Sequence, residues 1–170
     1  VGHEFMRAED RKRRTAGAQL LRVQGLSRAE VVRDVSLAAH AGEILGIAGL
    51  VGSGRTELLR LIFGADRKDS GEIYLDGSTA ATAIDSPVKA VRHGIGLLTE
   101  DRKAQGLLLT QSILSNVTLS DLSAVSRHGW IVRGKEESAS QSWSQRLRIR
   151  SRDGDQAVSE LSGGNQQKVL

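Results

Sequence analysis

One stretch of eight residues combines glycines, a cation and a hydroxyl in an arrangement that suits phosphate binding. It comprises Gly49, Leu50, Val51, Gly52, Ser53, Gly54, Arg55 and Thr56, and we call it the glycine loop. Glycines let backbone N–H groups approach a phosphate chain without a Cβ in the way, and a following helix adds its positive dipole end. We expect Gly52, Ser53 and Gly54 to form this cradle and Thr56 to offer its hydroxyl to Mg²⁺. We therefore predict a nucleotide site at this loop, which begins at Gly49. The alternative is a strand-to-helix turn that holds no ligand.

Arg55 stands where this pattern usually carries a lysine. A guanidinium is always charged and can form two parallel bonds to a phosphate, but it is bulkier than an ammonium and places its charge differently. We expect Arg55 to lie against the β and γ phosphates. We also expect binding to survive the exchange of lysine for arginine better than turnover does.

A second glycine motif lies near residue 163. It comprises Leu161, Ser162, Gly163, Gly164, Asn165, Gln166, Gln167 and Lys168, and we call it the signature segment. Ser162 is a good helix N-cap, and the unpaired amides of Gly163 and Gly164 at the start of a helix predict a second anion site. The alternative is a helix stop or a plain linker.

The signature segment resembles the signature motif of the ABC transporter ATPases, and its ending resembles the subgroup that drives monosaccharide import. A third stretch supports this subgroup, because Glu100, Asp101, Arg102 and Lys103 follow a predicted buried strand. Most members carry Gln where Glu100 stands, and the run resembles the second of the two ATPase domains found in one chain of the sugar importers. Without the resemblance, residues 100–103 are equally well interpreted as a solvated charged loop.

The resemblance covers residues 20–170 and implies a function. In this family the signature of one domain closes over the ATP that the glycine loop of a facing domain holds, in a head-to-tail pair. Residues from Leu161 to Gln166 would then face the partner's ATP, with ATP and Mg²⁺ as cofactors. The implied partners are a second ATPase domain, membrane permease subunits and, indirectly, a periplasmic sugar-binding protein. The implied location is peripheral, on the cytoplasmic side of the inner membrane, with no nucleic acid partner.

The sequence departs from the family in two further respects. The strand that ends in the catalytic Asp-Glu pair and the later switch His do not occur within the 170 residues, so we expect no catalytic residue in this chain and no ATP hydrolysis by the chain alone. Residues 20–33 also contain no aromatic side chain that could stack on adenine.

Apolar periodicity predicts an α/β fold. Alternation of apolar and polar residues predicts an antiparallel ribbon over residues 20–25, 31–39 and 73–75. The apolar runs 43–48 and 95–99 predict strands that are buried on both faces. Helical spacing of apolar residues predicts helices over 55–63, 86–93, 113–125, 135–149 and 162–170. The resemblance implies a P-loop NTPase of ABC type, with the ribbon, a RecA-like core and a helical subdomain. We expect a linker arm over 1–19 and a partial nucleotide-binding domain over 20–170. Its helical subdomain would cover about 107–162, and the domain would be incomplete at the C-terminus.

Composition excludes several classes of protein. The chain has no cysteine and only scattered histidines, so a thiolate metal site and a cysteine nucleophile are excluded, and no apolar stretch is long enough to span a bilayer. The 24 basic and 20 acidic residues give a formal charge of +4. Two rival functions stay open: a degenerate module that binds nucleotide without hydrolysis, and a soluble ABC protein that acts on nucleic acid.

Overall fold

The computed structural model describes residues 17–170, so most of the predicted arm lies outside the described residues. The chain divides into two compact units, of which the first ends at Leu97 and the second covers Leu98–Leu170. The glycine loop belongs to the first unit and the signature segment to the second. The limits expected for the arm and for the helical subdomain stay predictions.

An antiparallel sheet with the strand order β2-β1-β3 forms the frame of the first unit. Its strands are β1 (Gln19–Arg28), β2 (Val32–His40) and β3 (Ser70–Leu75). Val23 of the central strand lies opposite Leu37 of β2 and Ile73 of β3. Successive strand residues face opposite sides of a sheet, so one face of each strand can be apolar. The predicted ribbon is confirmed.

Helix α1 (Arg55–Ile62) begins directly after the glycines of the loop. It buries Leu58, Leu61 and Ile62, which lie on one face because they are three and four residues apart. Burying each of these side chains stabilises the fold by about 1.5–3 kcal/mol. The buried face anchors α1 in the core of the first unit and thereby fixes the loop in front of it.

Helix α2 (Pro87–Arg92) follows the predicted start and stop signals. Ser86 is extended at the N-cap position and Pro87 occupies the first turn, where a missing N–H costs nothing. Gly94 has φ 78° and ends the helix. The predicted helix over 86–93 is therefore confirmed.

Two predicted strands, over residues 43–48 and 95–99, are wrong. Both segments lack regular secondary structure, and residues 41–50 are exposed, with Ile44 at 98%. A strand can bury both faces only when neighbouring strands bond its N–H and C=O groups, and among the described residues β1, β2 and β3 pair only with one another. The apolar run alone therefore did not determine a strand.

The second unit is mainly helical. Its helices are α3 (Ile113–Thr118), α4 (Leu122–Val125), α5 (Arg133–Leu147) and α6 (Gly163–Val169). A π-helical turn (Arg102–Gly106) precedes them, 3₁₀ turns lie at Leu119–Asp121 and Val158–Glu160, and a small hairpin pairs β4 (Ser126–Arg127) with β5 (Trp130–Ile131). Ile113 and Val158 are fully buried at the centre of its core. The helical predictions after residue 107 are confirmed, and the hairpin is an addition.

Candidate functional site: the glycine loop and the signature segment

The glycine loop leads into α1 with a backbone that requires glycine at two positions. Gly52 has φ 80° and Gly54 has φ 82°, both in the left-handed region that other residues rarely adopt. Gly54 is the N-cap residue of α1, and its carbonyl accepts the first helical bond from the N–H of Leu58 at 2.8 Å. The first-turn amides of α1 therefore lie at the end of this loop, which is the arrangement that favours a phosphate group.

Gly54 is also the point at which the hairpin between β1 and β2 meets the loop. A Cβ at position 54 would overlap the carbonyl oxygen of Val31, whereas a Cβ at Gly52 would meet no atom within 4 Å. The two glycines therefore differ, because Gly54 is packed against backbone and Gly52 faces open space. This contact sets the position of the β1–β2 hairpin relative to the loop.

The Arg55 side chain folds back over its own loop. Its Nη2 donates a hydrogen bond of 3.3 Å to the carbonyl oxygen of Leu50, on the other side of the glycines. The guanidinium thus lies across the cradle rather than along the helix. A guanidinium at this place carries further N–H donors that can bond a phosphate oxygen.

Thr56 lies in the first turn of α1, and its side chain is exposed. The described residues contain no group of three or more His, Asp or Glu side chains that could hold a metal ion by themselves. A single hydroxyl beside a phosphate cradle suits Mg²⁺, because this ion keeps several waters and takes its remaining ligands from substrate phosphates. The residues therefore fit a magnesium ion that arrives with a nucleotide, and Thr56 is the residue that would hold it.

A cleft of about 370 Å³ adjoins the glycine loop within the first unit. Its lining residues are Glu30, Val31, Val32, Arg33, Val35, Ile47, Ala48, Ser53, Gly54, Arg55 and Leu58, and we call it the valine cleft. Its lining comes from the loop, from Ile47 and Ala48 just before it, from Leu58 of α1 and from the β1–β2 hairpin. The sequence did not single out this cleft, because only the fold brings these segments together.

In the second unit, Ser162 caps α6 as predicted. Its backbone is extended, and its Oγ accepts a hydrogen bond of 3.4 Å from the N–H of Asn165. Ser162, Gly163 and Gly164 are exposed, and a Cβ at Gly164 would meet no atom within 4 Å. These three residues form the exposed start of α6, and Gln167 and Lys168 are exposed further along the signature segment.

Two other residues of the segment are turned into the unit. Leu161 is buried in the apolar core with Ile113 and Val158. Gln166 is 7% exposed, and its amide Nε2 donates a hydrogen bond of 3.1 Å to the Val158 carbonyl. Both side chains therefore hold α6 in place, and they are not displayed on the surface with Ser162 and the glycines.

Two polar side chains of α6 form hydrogen bonds to the backbone at and after the C-terminus of α5. Asn165 accepts a hydrogen bond of 3.1 Å from the backbone N–H of Arg150. Lys168 donates from Nζ to the Arg148 carbonyl at 2.7 Å, at the C-terminus of α5 where unpaired carbonyls attract a cation. The asparagine and lysine of the segment thus bond backbone groups within the unit.

The charged stretch from Glu100 to Lys103 lies in the same unit as the signature segment and contacts it. Glu100 is exposed at the start of the stretch, and Asp101 caps the π-helical turn by accepting bonds of 3.1 Å from the N–H groups of Lys103 and Ala104. Arg102 reaches from this turn to α6, where its Nε donates to the Gln166 side-chain oxygen at 3.4 Å. The sequence placed Arg102 in a charged run and gave no signal of this contact.

The fold defines a class of protein. The structure resembles two solved ATP-binding cassettes of ABC transporters. One of them, in an ADP conformation, has a TM-score of 0.69 at 21% sequence identity, and the match covers 89% of this chain and 62% of that cassette. The other is a dimeric cassette in a post-hydrolysis state bound to ADP and phosphate, with a TM-score of 0.66 at 24% identity over 88% and 66% of the two chains. The α/β fold of a P-loop NTPase cassette is therefore confirmed.

The chain belongs to the ABC transporter family, because the model of that family matches residues 32–170. It is 49% identical over 170 residues to the ribose import ATP-binding protein RbsA 3 of Rubrobacter xylanophilus, covering 100% of this chain and 34% of that protein. It is 43% identical over 170 residues to the ribose import ATP-binding protein RbsA of Geobacillus kaustophilus, with the same coverage of 100% and 34%. The chain thus spans about a third of the length of these curated relatives.

Proposed function

We propose that this chain is an ATP-binding part of a sugar importer, in which the glycine loop holds the nucleotide phosphates. The observation that carries the proposal is the loop itself: two left-handed glycines, an arginine across the loop and the first turn of α1 behind them. The printed names of the relatives, which describe ribose import ATP-binding proteins, support the assignment to sugar import.

The proposed chemistry follows from these groups. Backbone N–H groups of Gly52, Ser53 and Gly54 bond phosphate oxygens, and the positive end of α1 adds to this attraction. Arg55 exchanges its bond to the Leu50 carbonyl for a charge-assisted bond to phosphate, which is about twice as strong as a neutral one. Mg²⁺ enters with the nucleotide, and Thr56 offers it a hydroxyl oxygen.

The signature segment gives the chain a second proposed role. Ser162, Gly163 and Gly164 form an exposed surface at which the phosphates of a second domain's nucleotide would bind in a head-to-tail pair. The dimeric cassette among the solved neighbours supports such a pair. Leu161, Asn165 and Gln166 hold this surface in position through contacts within their own unit.

The remaining partners belong to the whole protein. Membrane permease subunits would receive the closing movement and a periplasmic sugar-binding protein would deliver the sugar, so that the chain acts at the cytoplasmic side of the inner membrane. Among residues 17–170 no helix is both long and apolar enough to cross a membrane. We assign hydrolysis of ATP to the whole protein and no catalytic residue to this chain.

The test of the glycine loop is an affinity measurement on the full chain with Mg-ATP, comparing the original sequence with Arg55→Ala. Loss of a charge-assisted bond to phosphate corresponds to about a tenfold weaker binding. The control is Arg92→Ala, which removes an exposed arginine of α2 in the same unit. Equal affinity of the Arg55→Ala variant and the original chain would contradict the assigned role of the loop.

A second candidate function is a nucleotide-binding module without turnover, which the position of Arg55 across the cradle favours. A guanidinium cannot place its charge as a compact ammonium does, so Arg55→Lys separates the candidates. In the whole protein, a rise in ATP turnover on Arg55→Lys with unchanged ATP affinity would support the module without turnover. A fall in turnover would favour an active site built around arginine.

A further inference from the structure

The hairpin formed by β4 and β5, residues 126–131, has a defined backbone at both its turn and its base, and we call it the tryptophan hairpin. Its two turn residues, His128 and Gly129, have φ 50° and 83°. Two successive positive φ values are typical of the type I′ turn that closes tight hairpins. At the base, the N–H of Val132 donates a hydrogen bond of 2.9 Å to the carbonyl of Val125, whose side chain is buried. The hairpin is therefore held at both ends.

The tryptophan hairpin presents apolar side chains to solvent. Trp130 is 81% exposed and Ile131 is 51% exposed. Arg127 lies directly opposite Trp130 in the ladder, so an exposed cation and an exposed aromatic ring share one face of the hairpin. A tryptophan joins a large apolar ring to a polar N–H, which suits a boundary between water and an apolar phase. The hairpin thus combines the two kinds of side chain that bind at such a boundary.

The charge around the tryptophan hairpin has one sign. Residues 122–135 contain three basic side chains, one histidine and no acidic side chain. Arg133 is neutralised by two carboxylates, each 2.7 Å from its guanidinium. Arg127 and Lys135 are exposed, and neither has an ion-pair partner within residues 17–170. The unpaired charges of this stretch are therefore positive, and they favour an anionic partner.

The size of this surface distinguishes between anionic partners. An aromatic side chain offers about 150–250 Å², so Trp130 and Ile131 together supply far less than the about 800 Å² that each partner buries in a standard protein interface. Single-stranded nucleic acid is bound by successive aromatic rings along a basic groove, and this hairpin has one ring. A bilayer needs less, because one tryptophan at headgroup level and adjacent cations near lipid phosphates already contribute to binding. The observations therefore favour a lipid surface.

We propose that the tryptophan hairpin contacts an anionic lipid bilayer, with Trp130 and Ile131 at the boundary of headgroups and acyl chains and with Arg127 and Lys135 near lipid phosphates. The inference goes beyond the proposed function, which attaches the chain to the membrane through permease subunits. The contact involves no residue of the glycine loop, so it does not depend on nucleotide. With so few anchoring side chains it is reversible and adds to attachment through a partner.

The experiment follows tryptophan fluorescence of the full chain, which has two tryptophans, as vesicles are added. Trp143→Phe leaves Trp130 as the only tryptophan, and Trp130→Phe leaves Trp143, whose ring already carries the Arg146 guanidinium at 4.3 Å. Vesicles of equal parts phosphatidylglycerol and phosphatidylcholine should shift the Trp130 emission to shorter wavelength and leave the Trp143 emission unchanged. Vesicles of phosphatidylcholine alone should produce a much smaller shift, because they lack the negative surface potential.

Vesicle sedimentation gives the partition coefficient of each variant. Arg127→Ala should lower it about fivefold, because a cation near an anionic surface contributes about that factor. Trp130→Ser should lower it about tenfold or more through the lost apolar contact. Arg150→Ala is the matched control, since Arg150 is an exposed arginine of the same unit outside the hairpin, and it should change the coefficient less than about twofold.

Three outcomes would overturn the inference. One is the absence of any association with the phosphatidylglycerol vesicles. Another is an equal loss for Arg127→Ala and Arg150→Ala, which would mean that the positive charge of the whole chain attracts the vesicles. The third is a change of Trp130 emission with a single-stranded oligonucleotide but not with vesicles, which would make nucleic acid the partner. In each case the glycine loop keeps its proposed role, because Mg-ATP binding is measured separately.

Discussion

Arg102 and Gln166 are joined by a hydrogen bond of 3.4 Å although 64 residues separate them in the chain. The same guanidinium donates to Gln167 at 3.5 Å and lies against Gly163, where an added Cβ would be 3.1 Å from Nη2. The charged turn at 102–106 therefore contacts the first and the second turn of α6.

Loss of the Arg102 side chain should loosen α6 without unfolding the unit. Arg102→Ala removes both long hydrogen bonds, and each contributes at most about 1 kcal/mol at a partly exposed site. We expect amide hydrogen exchange over residues 163–169 to become a few-fold faster. Lys103→Ala is the control, and equal exchange in the two variants would show that the Arg102 contact does not hold α6.

Gln166 should matter for stability more than its neighbour Gln167. The buried Gln166 amide bonds the Val158 carbonyl, so Gln166→Ala removes one buried hydrogen bond and costs about 0.5–1.5 kcal/mol, because the Leu161 N–H still bonds that carbonyl. Gln167 is exposed, and Gln167→Ala should cost under about 0.5 kcal/mol. Urea unfolding measures both values, and equal losses would contradict the inward placement of Gln166.

The two left-handed glycines should respond differently to alanine. Gly52→Ala meets open space and carries only the backbone cost of a positive φ, about 1–2 kcal/mol. Gly54→Ala carries the same cost and in addition forces the new methyl group against the Val31 carbonyl. We expect a clearly larger fall in the free energy of unfolding for Gly54→Ala, and the reverse order would contradict the packing of hairpin on loop.

Acid should weaken the first unit through Asp66. The Arg60 guanidinium bonds this carboxylate at 2.8 and 2.9 Å, Arg28 adds an ion pair at 2.6 Å, and together they hold the pKa of Asp66 below its ordinary value. A lowered pKa in the folded state means that the ionised group stabilises the fold above the unfolded pKa, and this contribution is lost as pH falls through the folded pKa. It should therefore be complete at pH 7 and decline below about pH 4.

Thermal unfolding between pH 7 and pH 3 measures this effect. Asp66→Asn should lower the melting temperature at pH 7 and reduce the difference between the two pH values. Asp85→Asn is the control, because the Asp85 side chain is 65% exposed and water screens its ion pair with Lys89. An Asp66→Asn variant that keeps the full acid sensitivity would exclude this ion cluster as its source.

The sequence predicted the elements whose signals are local. The alternation in β1 and β2, the Ser86-Pro87 start of α2 and the Ser162 cap depend on neighbouring residues, and all are present. The failed strands over 43–48 and 95–99 depend on partner strands, which an apolar run does not specify. Local patterns in the sequence therefore predict helix caps and amphipathic faces, but they do not predict which strands pair by hydrogen bonds.

The candidate site divides in the same way. The positive φ of Gly52 and Gly54 and the helix behind them follow from the motif, because such a loop admits few other residues. The Val31 contact, the valine cleft and the Arg102 bond join residues far apart in the chain, so no spacing in the sequence indicated them. The family resemblance places Gln166 among residues that face a partner's ATP, and the sequence does not indicate its burial, because burial of an amide is decided by its partner, here the Val158 carbonyl.

The most direct test of the glycine loop as the phosphate site is a titration of the ¹⁵N-labelled chain with Mg-ATP, followed by amide chemical shifts. The account predicts that the largest shifts occur at Gly52, Ser53, Gly54 and Arg55, with smaller ones at Val31, and none in the hairpin over residues 126–131. If the amide shifts of residues 52–55 stay unchanged while those of other residues change, the assignment of the nucleotide to this loop is contradicted.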